Sequence, residues 1–572
     1  MPLEPISKPT FPPSTPAELE KAGWDRPDIL LITGDAYVDH PSFGAAMISR
    51  VLMDAGFRVA ILPQPDWRSA EPFKALGKPR LFIAVTSGNV DSMIANYTAF
   101  RNKRATDAYS PEGRTGLRPN RACLVYAQRA REALPGIPVV LGGVEAGMRR
   151  LSHYDFWEDK LRRSILLDAK ADLILYGMAE ASVVGLARAL DSGLDLCEAR
   201  AQRGAVYAAD EGEADSEALR LPGFDQCAED HKALTASFRL RHKAADPFAD
   251  ITLVEPYGTR LVVQTPPARP LSASQLDGFY ELPFTGKPHP CYGAKEIPAL
   301  RTVGTSLVSH RGCFGGCHFC GIGFHQGRYI QSRSKSSLKR EAQKLTLSES
   351  FHGTINDVGG PTANMFGFTC RASRTETPCR RPFCLLPTPC RHLVDGHGES
   401  MAMLRTLRNI PGVNHVFVQS GLRHDLALFG KGLDYLRMLV KYHISGTLKV
   451  APEHADDKVL KTMGKPGFAL YERFRREFER INREERKRQF LVSYFISAHP
   501  GCGRHEMQVL KRKLDEAGLN PEQVQDYIPL PGTPASIMYH TGLDPFTDQP
   551  VYVAKTDKER REQRGIIQKR RS

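Results

Sequence analysis

The chain has 572 residues, of which 41% are hydrophobic, and a formal net charge of +14. This length exceeds what one hydrophobic core usually serves, so about three or four domains are expected. No apolar run approaches the roughly 20 residues of a membrane-spanning helix, and the proline-rich residues 1–16 differ from a signal peptide, so we expect a cytoplasmic protein without membrane contact.

The amino-terminal part alternates short apolar runs with helix-like segments, and most of the runs end in glycine or a small polar residue. This alternation predicts a doubly wound α/β domain over residues 25–197, preceded by a proline-rich lead at 1–24. The predicted strands are residues 29–33, 59–62, 81–86, 139–143 and 171–177, and the predicted helices include 45–55 and 121–134.

The alternation of strand-like and helix-like segments divides the remaining chain into three parts. Residues 198–298 lose the alternation and are interpreted as a connector with helices. Residues 299–523 regain it, which predicts a partial parallel β/α barrel of the TIM type. Residues 524–572 are expected to form a carboxy-terminal extension whose basic tail is solvated.

The barrel prediction depends on two sets of segments. Its strands are expected at 303–309, 353–358, 413–420, 446–451 and 491–497. Its helices are expected at 335–345, 399–408, 430–441 and 471–485. The last of these is dense in charge, but Phe474, Phe478 and Ile481 recur at helical spacing and favour an outer barrel helix over an RNA-binding one.

Three of the twelve cysteines, Cys313, Cys317 and Cys320, have the spacing CxxxCxxC directly after the first predicted barrel strand. In a chain expected in a reducing compartment, clustered cysteines indicate metal binding rather than disulfides. Three thiolates can hold three irons of a cubane cluster and leave the fourth iron open. A zinc site with His318 or His325 as fourth ligand is the alternative.

This motif resembles the radical S-adenosylmethionine (SAM) superfamily. The strings TGDAYVDHPSFG, SHRGCFGGCHFC, DVGGPTANM, LKVAPEH, SAHPGC and QVQDYIPLPGTP resemble its YgiQ family across nearly the whole chain. The resemblance implies an enzyme in which the three cysteines bind a 4Fe-4S cluster and SAM binds the open iron. An electron from a donor such as a flavodoxin or ferredoxin would cleave SAM, and the 5′-deoxyadenosyl radical would act on an unidentified substrate.

The resemblance also implies SAM-binding residues at the ends of two barrel strands. Gly359 and Gly360 occupy the position of the superfamily's Gly-Gly-Glu-like segment, although Pro361 stands where the acid is usual. Ser420 and Arg423 follow a later strand and are expected to contact a carboxylate or ribose. A glycine turn without a ligand is the alternative for the first pair. No catalytic residue is assigned from the sequence.

Four more cysteines lie in an irregular, proline-rich insertion, with eight, four and five residues between them. They are Cys370, Cys379, Cys384 and Cys390. Either they form a second metal site, an auxiliary cluster or zinc, or they are reduced loop cysteines.

Further polar residues follow predicted strands. Four of them are candidates for acid–base or anchoring roles, or else are structural residues whose polar groups are hydrogen-bonded. They are Glu453, His454, His499 and Cys502. Asp39 and His40 lie where cobalamin-binding domains, which this domain faintly resembles, carry a DxHxxG-like motif, so cobalamin is one hypothesis and a scaffold domain the other.

Two other functions stay open from the sequence. The net positive charge suits a radical enzyme that modifies RNA. A non-catalytic iron-sulfur redox sensor or carrier would need the same three cysteines.

Overall fold

A computed structural model describes residues 9–213, 215–372, 376–379, 381–521 and 523–568. Within these residues no helix is both long and apolar enough to cross a bilayer. The first part of the chain contains five parallel strands with helices between them and a small two-stranded hairpin. Its elements are α1 (Pro16–Lys21), β1 (Ile29–Thr33), α2 (Gly44–Asp54), β2 (Val59–Pro63), β3 (Phe82–Thr86), α3 (Ser92–Asn96), α4 (Ala122–Ala133), β4 (Val139–Gly142), α5 (Gly143–Met148), β5 (His153–Asp155), β6 (Lys160–Arg162), α6 (Ile165–Asp168), β7 (Leu173–Leu175) and α7 (Glu180–Asp191).

These five strands form a doubly wound sheet in the order β2-β1-β3-β4-β7, as the sequence predicts. The sheet is covered on both faces because successive side chains of a strand point to opposite sides. On β1, Leu30 and Ile32 belong to one buried cluster, whereas Ile29 and Leu31 belong to another. The near-continuous apolar runs are therefore a consequence of two-sided burial.

The region expected to be a connector extends this sheet. Four strands follow β7 in the order β8-β11-β10-β9, with β8 and β11 antiparallel to their neighbours. The sequence pattern missed β8 because it is rich in alanine, which has low strand propensity, and β9 because it has only two residues. The elements are α8 (Leu196–Ala199), β8 (Ala205–Asp210), β9 (Leu219–Arg220), α9 (Phe224–Glu229), α10 (His231–Ala244), β10 (Leu253–Tyr257), β11 (Arg260–Gln264), α11 (Ala273–Tyr280) and α12 (Ala299–Val303).

The second half contains short parallel ladders that follow chain order, as in a partial β/α barrel. Its elements up to the fourth barrel helix are β12 (Ser306–Val308), β13 (His310–Arg311), α13 (Ile322–Gln326), β14 (Gln331–Ser332), α14 (Lys335–Thr346), β15 (Thr354–Ile355), β16 (Asp357–Gly359), β17 (Thr369–Cys370), β18 (Leu393–Val394), α15 (His397–Arg408), β19 (His415–Val416), α16 (Gly432–Tyr442), β20 (Thr447–Glu453), α17 (Asp457–Thr462) and α18 (Phe468–Glu484). The chain continues with β21 (Phe490–Ser497), α19 (Arg504–Glu516), β22 (Gln523–Asp526), α20 (Pro534–Thr541) and α21 (Asp557–Ile567).

The barrel ladders join β12 to β16, β15 to β19, and β20 to β21 and β22, all in parallel. A bridge between Leu422 and Val450 connects the segment after β19 to β20. Helix α18 buries Phe474, Phe478 and Ile481, which confirms it as an outer barrel helix. Strand β22 is a barrel strand that crosses the predicted boundary at residue 523.

The basic tail is partly ordered, contrary to expectation. Helix α21 begins with a capping box between Thr556 and Glu559 and buries Arg560, Gln563 and Ile567. The expectation of a solvated tail was wrong because the helix has an apolar and aromatic surface to pack against, which the sequence does not reveal. Residues 569–572 of the tail lie outside the described residues. The domain boundaries themselves stay a prediction.

Candidate functional site

The three motif cysteines lie on a loop after β12 and β13, at the face of the barrel where strands end. Gly312 opens this loop with a φ of +87°, and a Cβ on it would lie 2.1 Å from the carbonyl oxygen of Tyr329. Only glycine fits there. The amide of Cys313 donates to Gly327 O at 3.0 Å, and the amide of Cys320 donates to Cys317 O at 3.2 Å, so the backbone turns back on itself.

All three thiols are reduced, partly buried and line one cavity of about 240 Å³. The cavity lies between the cluster loop, the amino-terminal sheet domain, the cysteine-rich insertion and the segment after β22. Burial raises the pKa of Cys320 to about 12 and also raises the pKa of Cys313. The neutral form of these two thiols is thus favoured until a metal or a cation stabilises the thiolate.

Arg423 supplies such a cation. Its Nη1 lies 3.4 Å from Cys317 Sγ and 3.4 Å from Gly315 O. Its Nε and Nη2 donate to the Asp425 carboxylate at 3.0 and 2.7 Å. Although burial opposes the charge, Asp425 and Cys317 raise the pKa of Arg423, and Arg423 in turn holds the pKa of Asp425 well below its usual range.

The Gly359–Gly360 segment is packed tightly between neighbouring strands. Ser309 donates to Gly359 O from its amide at 2.7 Å and from its hydroxyl at 3.0 Å. That carbonyl is therefore engaged by Ser309 in this structure, and its contact with SAM stays a prediction. A Cβ on Gly360 would lie 2.6 Å from His310 O. Gly360 therefore has to be glycine because His310 approaches its backbone closely.

Ser420 lies beside this segment but is engaged by a carboxylate. Its hydroxyl donates to Asp357, whose other carboxylate oxygen accepts the amides of Gln419 and Ser420 at 2.8 and 3.0 Å. The structure therefore brings Ser420 and Gly359 together and places Arg423 against the cysteines. Their roles in binding SAM stay a prediction.

Lys465 and Glu453 are further charged residues near the cysteines. Lys465 is 6% exposed, and its Nζ donates to Ala451 O at 2.6 Å and lies 3.8 Å from Glu453 Oε1. Burial raises the pKa of Glu453, against the charges of Lys465 and Arg423. Sequence analysis named Glu453 but missed Lys465, Asp425 and Asp357, since no motif marks them.

The histidines after β20 and β21 are buried and held by local contacts. His454 Nδ1 accepts the Asp456 amide at 3.0 Å, and its Nε2 lies 3.5 Å from Cys502 Sγ. His499 Nδ1 contacts Pro500 O at 2.8 Å. Burial lowers the pKa of His454 to about 4 and that of His499 to about 3. These contacts favour the structural interpretation of both residues.

Within the described ranges, no three His, Cys, Asp or Glu side chains stand close enough to hold one metal ion. The zinc alternative at Cys313, Cys317 and Cys320 stays a prediction. His318 Nδ1 is also occupied, at 2.9 Å from Thr462 O. A cubane cluster is different because each thiolate binds its own iron, so its ligands are further apart than those of a single ion. Three reduced thiols on a glycine-permitted loop fit that cluster.

Cobalamin does not fit the amino-terminal domain. Doubly wound domains bind ligands at the carboxyl edge of the sheet, and here this edge is filled. Arg118 is buried there between Asp35 and Asp107, at 2.9 and 3.0 Å. Asp39 forms a buried ion pair with Arg50. His40 Nδ1 accepts the amide of Ser42 at 3.1 Å, so one ring nitrogen of the candidate lower ligand is engaged locally.

Comparison with known proteins supports the superfamily. The family described as "Radical SAM N-terminal" matches residues 11–306, and a domain of unknown function matches residues 522–572. A UPF0313 protein of Geobacter sulfurreducens is 47% identical over 98% of this chain and 92% of its own length. A UPF0313 protein of Methanosarcina acetivorans is 45% identical over 98% of this chain and 79% of its own length.

This chain belongs to the YgiQ (UPF0313) family of the radical SAM superfamily. A match to a solved structure supports the fold of this chain. The radical SAM methyltransferase TsrM from Kitasatospora setae, with cobalamin and a [4Fe-4S] cluster bound, matches with a TM-score of 0.53 and 14% identity, over 89% of this chain and 77% of TsrM. The fold is thus a doubly wound amino-terminal domain followed by a partial β/α barrel.

Proposed function

We propose that this protein is an enzyme that binds a 4Fe-4S cluster through Cys313, Cys317 and Cys320 and uses it to cleave SAM reductively. The observation that carries the proposal is the placement of the three thiols on one cavity, with Arg423 in contact with Cys317. Family membership supports the same cofactors. The substrate is set by loops that differ between members of a fold, so it is left unnamed.

The chemistry supplied by the bound cluster is transfer of one electron, from a flavodoxin- or ferredoxin-type donor, to the sulfonium of SAM. That electron would break the C5′–S bond of SAM, with methionine as the leaving group and 5′-deoxyadenosine as the product after transfer of a hydrogen atom from the substrate.

The residues of the chain would bind the cluster, orient SAM and exclude water from the cavity. Arg423 and Lys465 place positive charge beside the thiols, which stabilises a negatively charged centre. The backbone of Gly359 and Gly360 is the proposed contact to SAM. Phe383 of the insertion packs against the loop, with its ring 5.0 Å from the His318 ring, and shields the cavity from solvent.

The test is SAM turnover by the reconstituted protein. Anaerobic, reduced protein given SAM is expected to release 5′-deoxyadenosine and methionine in about equal amounts. Cys317→Ala should reduce this release at least about 100-fold, because the cluster loses a ligand. Cys197→Ala, at an exposed cysteine elsewhere, is the matched control and should behave as the parent. Fully cluster-loaded protein that leaves SAM intact would contradict the proposal.

The two alternatives stay predictions. An RNA-modifying enzyme would bind phosphates through its basic surface, so its binding of tRNA should weaken steeply as salt rises. A redox sensor or carrier would hold the cluster without consuming SAM, so the turnover experiment separates it from the enzyme.

A further inference from the structure

The insertion between β17 and β18 lies over the cluster loop yet has little interior of its own. Among its described residues between 371 and 392, only Leu385 is buried. Segments this short rarely fold on apolar burial alone, and small structures of this kind usually depend on a disulfide or a metal. Its four cysteines are reduced, so disulfides do not supply that constraint.

The backbone brings these cysteines together. Cys370 pairs with Leu393 in the two-residue antiparallel ladder of β17 and β18, and Leu393 donates its amide to Cys390 O at 3.0 Å. The amide of Cys390 donates to Cys384 O at 2.8 Å. Cys384 also lies within electrostatic reach of the thiols of Cys370, Cys379 and Cys390. The four residues thus gather at one end of the insertion.

Fixed contacts position this group beside positive charge. Asp246, just after α10, accepts the amide of Cys379 at 2.9 Å and an Arg328 guanidinium nitrogen at 2.5 Å. Arg328 also lies 3.5 Å from Cys379 O and within electrostatic reach of Cys384. Arg381 donates to the carbonyls of Phe383 and Leu386 at 2.7 and 3.0 Å.

We propose that Cys370, Cys379, Cys384 and Cys390 bind an auxiliary 4Fe-4S cluster. Four thiolates can ligate all four irons of a cubane cluster. This site would therefore have no iron free to bind SAM, unlike the three-cysteine site. A zinc ion would need all four thiolates around one metal and no sulfide, so sulfide analysis separates it from the cluster. Cys384 lines the same cavity as Cys313, Cys317 and Cys320, so the two clusters would be neighbours.

The experiment uses the full chain with the first site removed. The triple variant Cys313→Ala, Cys317→Ala, Cys320→Ala is reconstituted anaerobically with iron and sulfide, and both are measured per chain together with zinc. We expect about four iron and about four sulfide per chain in the triple variant, and about twice these amounts in the parent. The result is independent of whether the protein cleaves SAM.

Further variants assign the cluster to the insertion. Adding Cys384→Ala and Cys390→Ala to the triple variant should remove nearly all bound iron. Adding Cys197→Ala and Cys291→Ala, two exposed cysteines elsewhere, should leave it unchanged. Circular dichroism checks that each variant is folded, and Mössbauer spectra of the parent count its clusters without any substitution. One cluster in the parent, iron that persists without Cys384 and Cys390, or one zinc without sulfide would each overturn the proposal.

Discussion

Arg423 and Asp425 form a buried ion pair that faces the cysteine loop, with side chains 8% and 11% exposed. A buried pair contributes little over an apolar replacement, but removing one partner leaves an unpaired charge in a medium that solvates it poorly. Arg423 also contacts Cys317, so the pair couples the stability of the barrel to the position of a proposed iron ligand.

Arg423→Met should therefore lower the free energy of unfolding by about 3–5 kcal/mol, since Asp425 remains buried without its partner. The measurement is calorimetric unfolding of the cluster-free protein. Adding Asp425→Asn removes the stranded charge and should restore part of the loss. A double variant as unstable as the sum of both single variants would contradict this coupling.

The carboxyl edge of the amino-terminal sheet, where doubly wound domains bind ligands, holds a buried ion-pair network in this protein. Arg118 has no exposed side-chain surface and bridges Asp35 and Asp107. Burial raises the pKa of Asp35 to about 6, against the opposing charge of Arg118. A Cβ on Gly34 would lie 2.2 Å from Ser87 O, so neighbouring strand ends also approach closely. This packing suits a scaffold domain.

Arg118→Gln should destabilise the amino-terminal domain by about 3–5 kcal/mol, because two buried carboxylates lose their shared cation. The change is measured as a shift of the first calorimetric transition. Arg68→Gln is the matched control: Arg68 pairs with Asp66 at the surface, where both side chains are more than half exposed, and should leave the transition unchanged. Equal shifts for the two variants would show that the buried network does not stabilise the sheet.

At the scale of the whole molecule, two arginines connect the halves of the chain. Arg311, at the start of the cysteine loop, forms a buried ion pair with Glu180 of α7 and donates to Tyr280 OH at 2.9 Å. Arg560 of α21 donates to Ala99 O at 3.0 Å and to Tyr527 O at 2.7 Å. The cysteine loop and the last helix are thus each fixed between the sheet domain and the barrel.

Arg560→Ala should loosen this docking, because two buried carbonyls lose their donor and the guanidinium leaves the rings of Phe100 and Phe156. Hydrogen exchange should become faster in α21 and around Ala99, while the central strand β1 keeps its protection. Lys558→Ala, at an exposed position of the same helix, should change neither region. Unchanged exchange in the Arg560 variant would show that α21 is held by other contacts.

The sequence by itself determined the local features. Apolar runs bounded by glycine predicted the five parallel strands, because two-sided burial demands continuous hydrophobicity. The spacing of Cys313, Cys317 and Cys320 predicted a metal-binding loop, because ligands of one cluster must be close along the chain or in space. Phe474, Phe478 and Ile481 predicted the buried face of α18.

Only the tertiary structure decided which distant groups meet. The alanine-rich β8 joins the sheet because a neighbouring edge offers hydrogen bonds, and α21 orders because Arg560 finds partners more than thirty residues away along the chain. Likewise Lys465 comes within electrostatic reach of Cys313, and Arg118 bridges Asp35 and Asp107. These outcomes depend on long-range contacts, whose free energy is set by packing and desolvation rather than by local pattern.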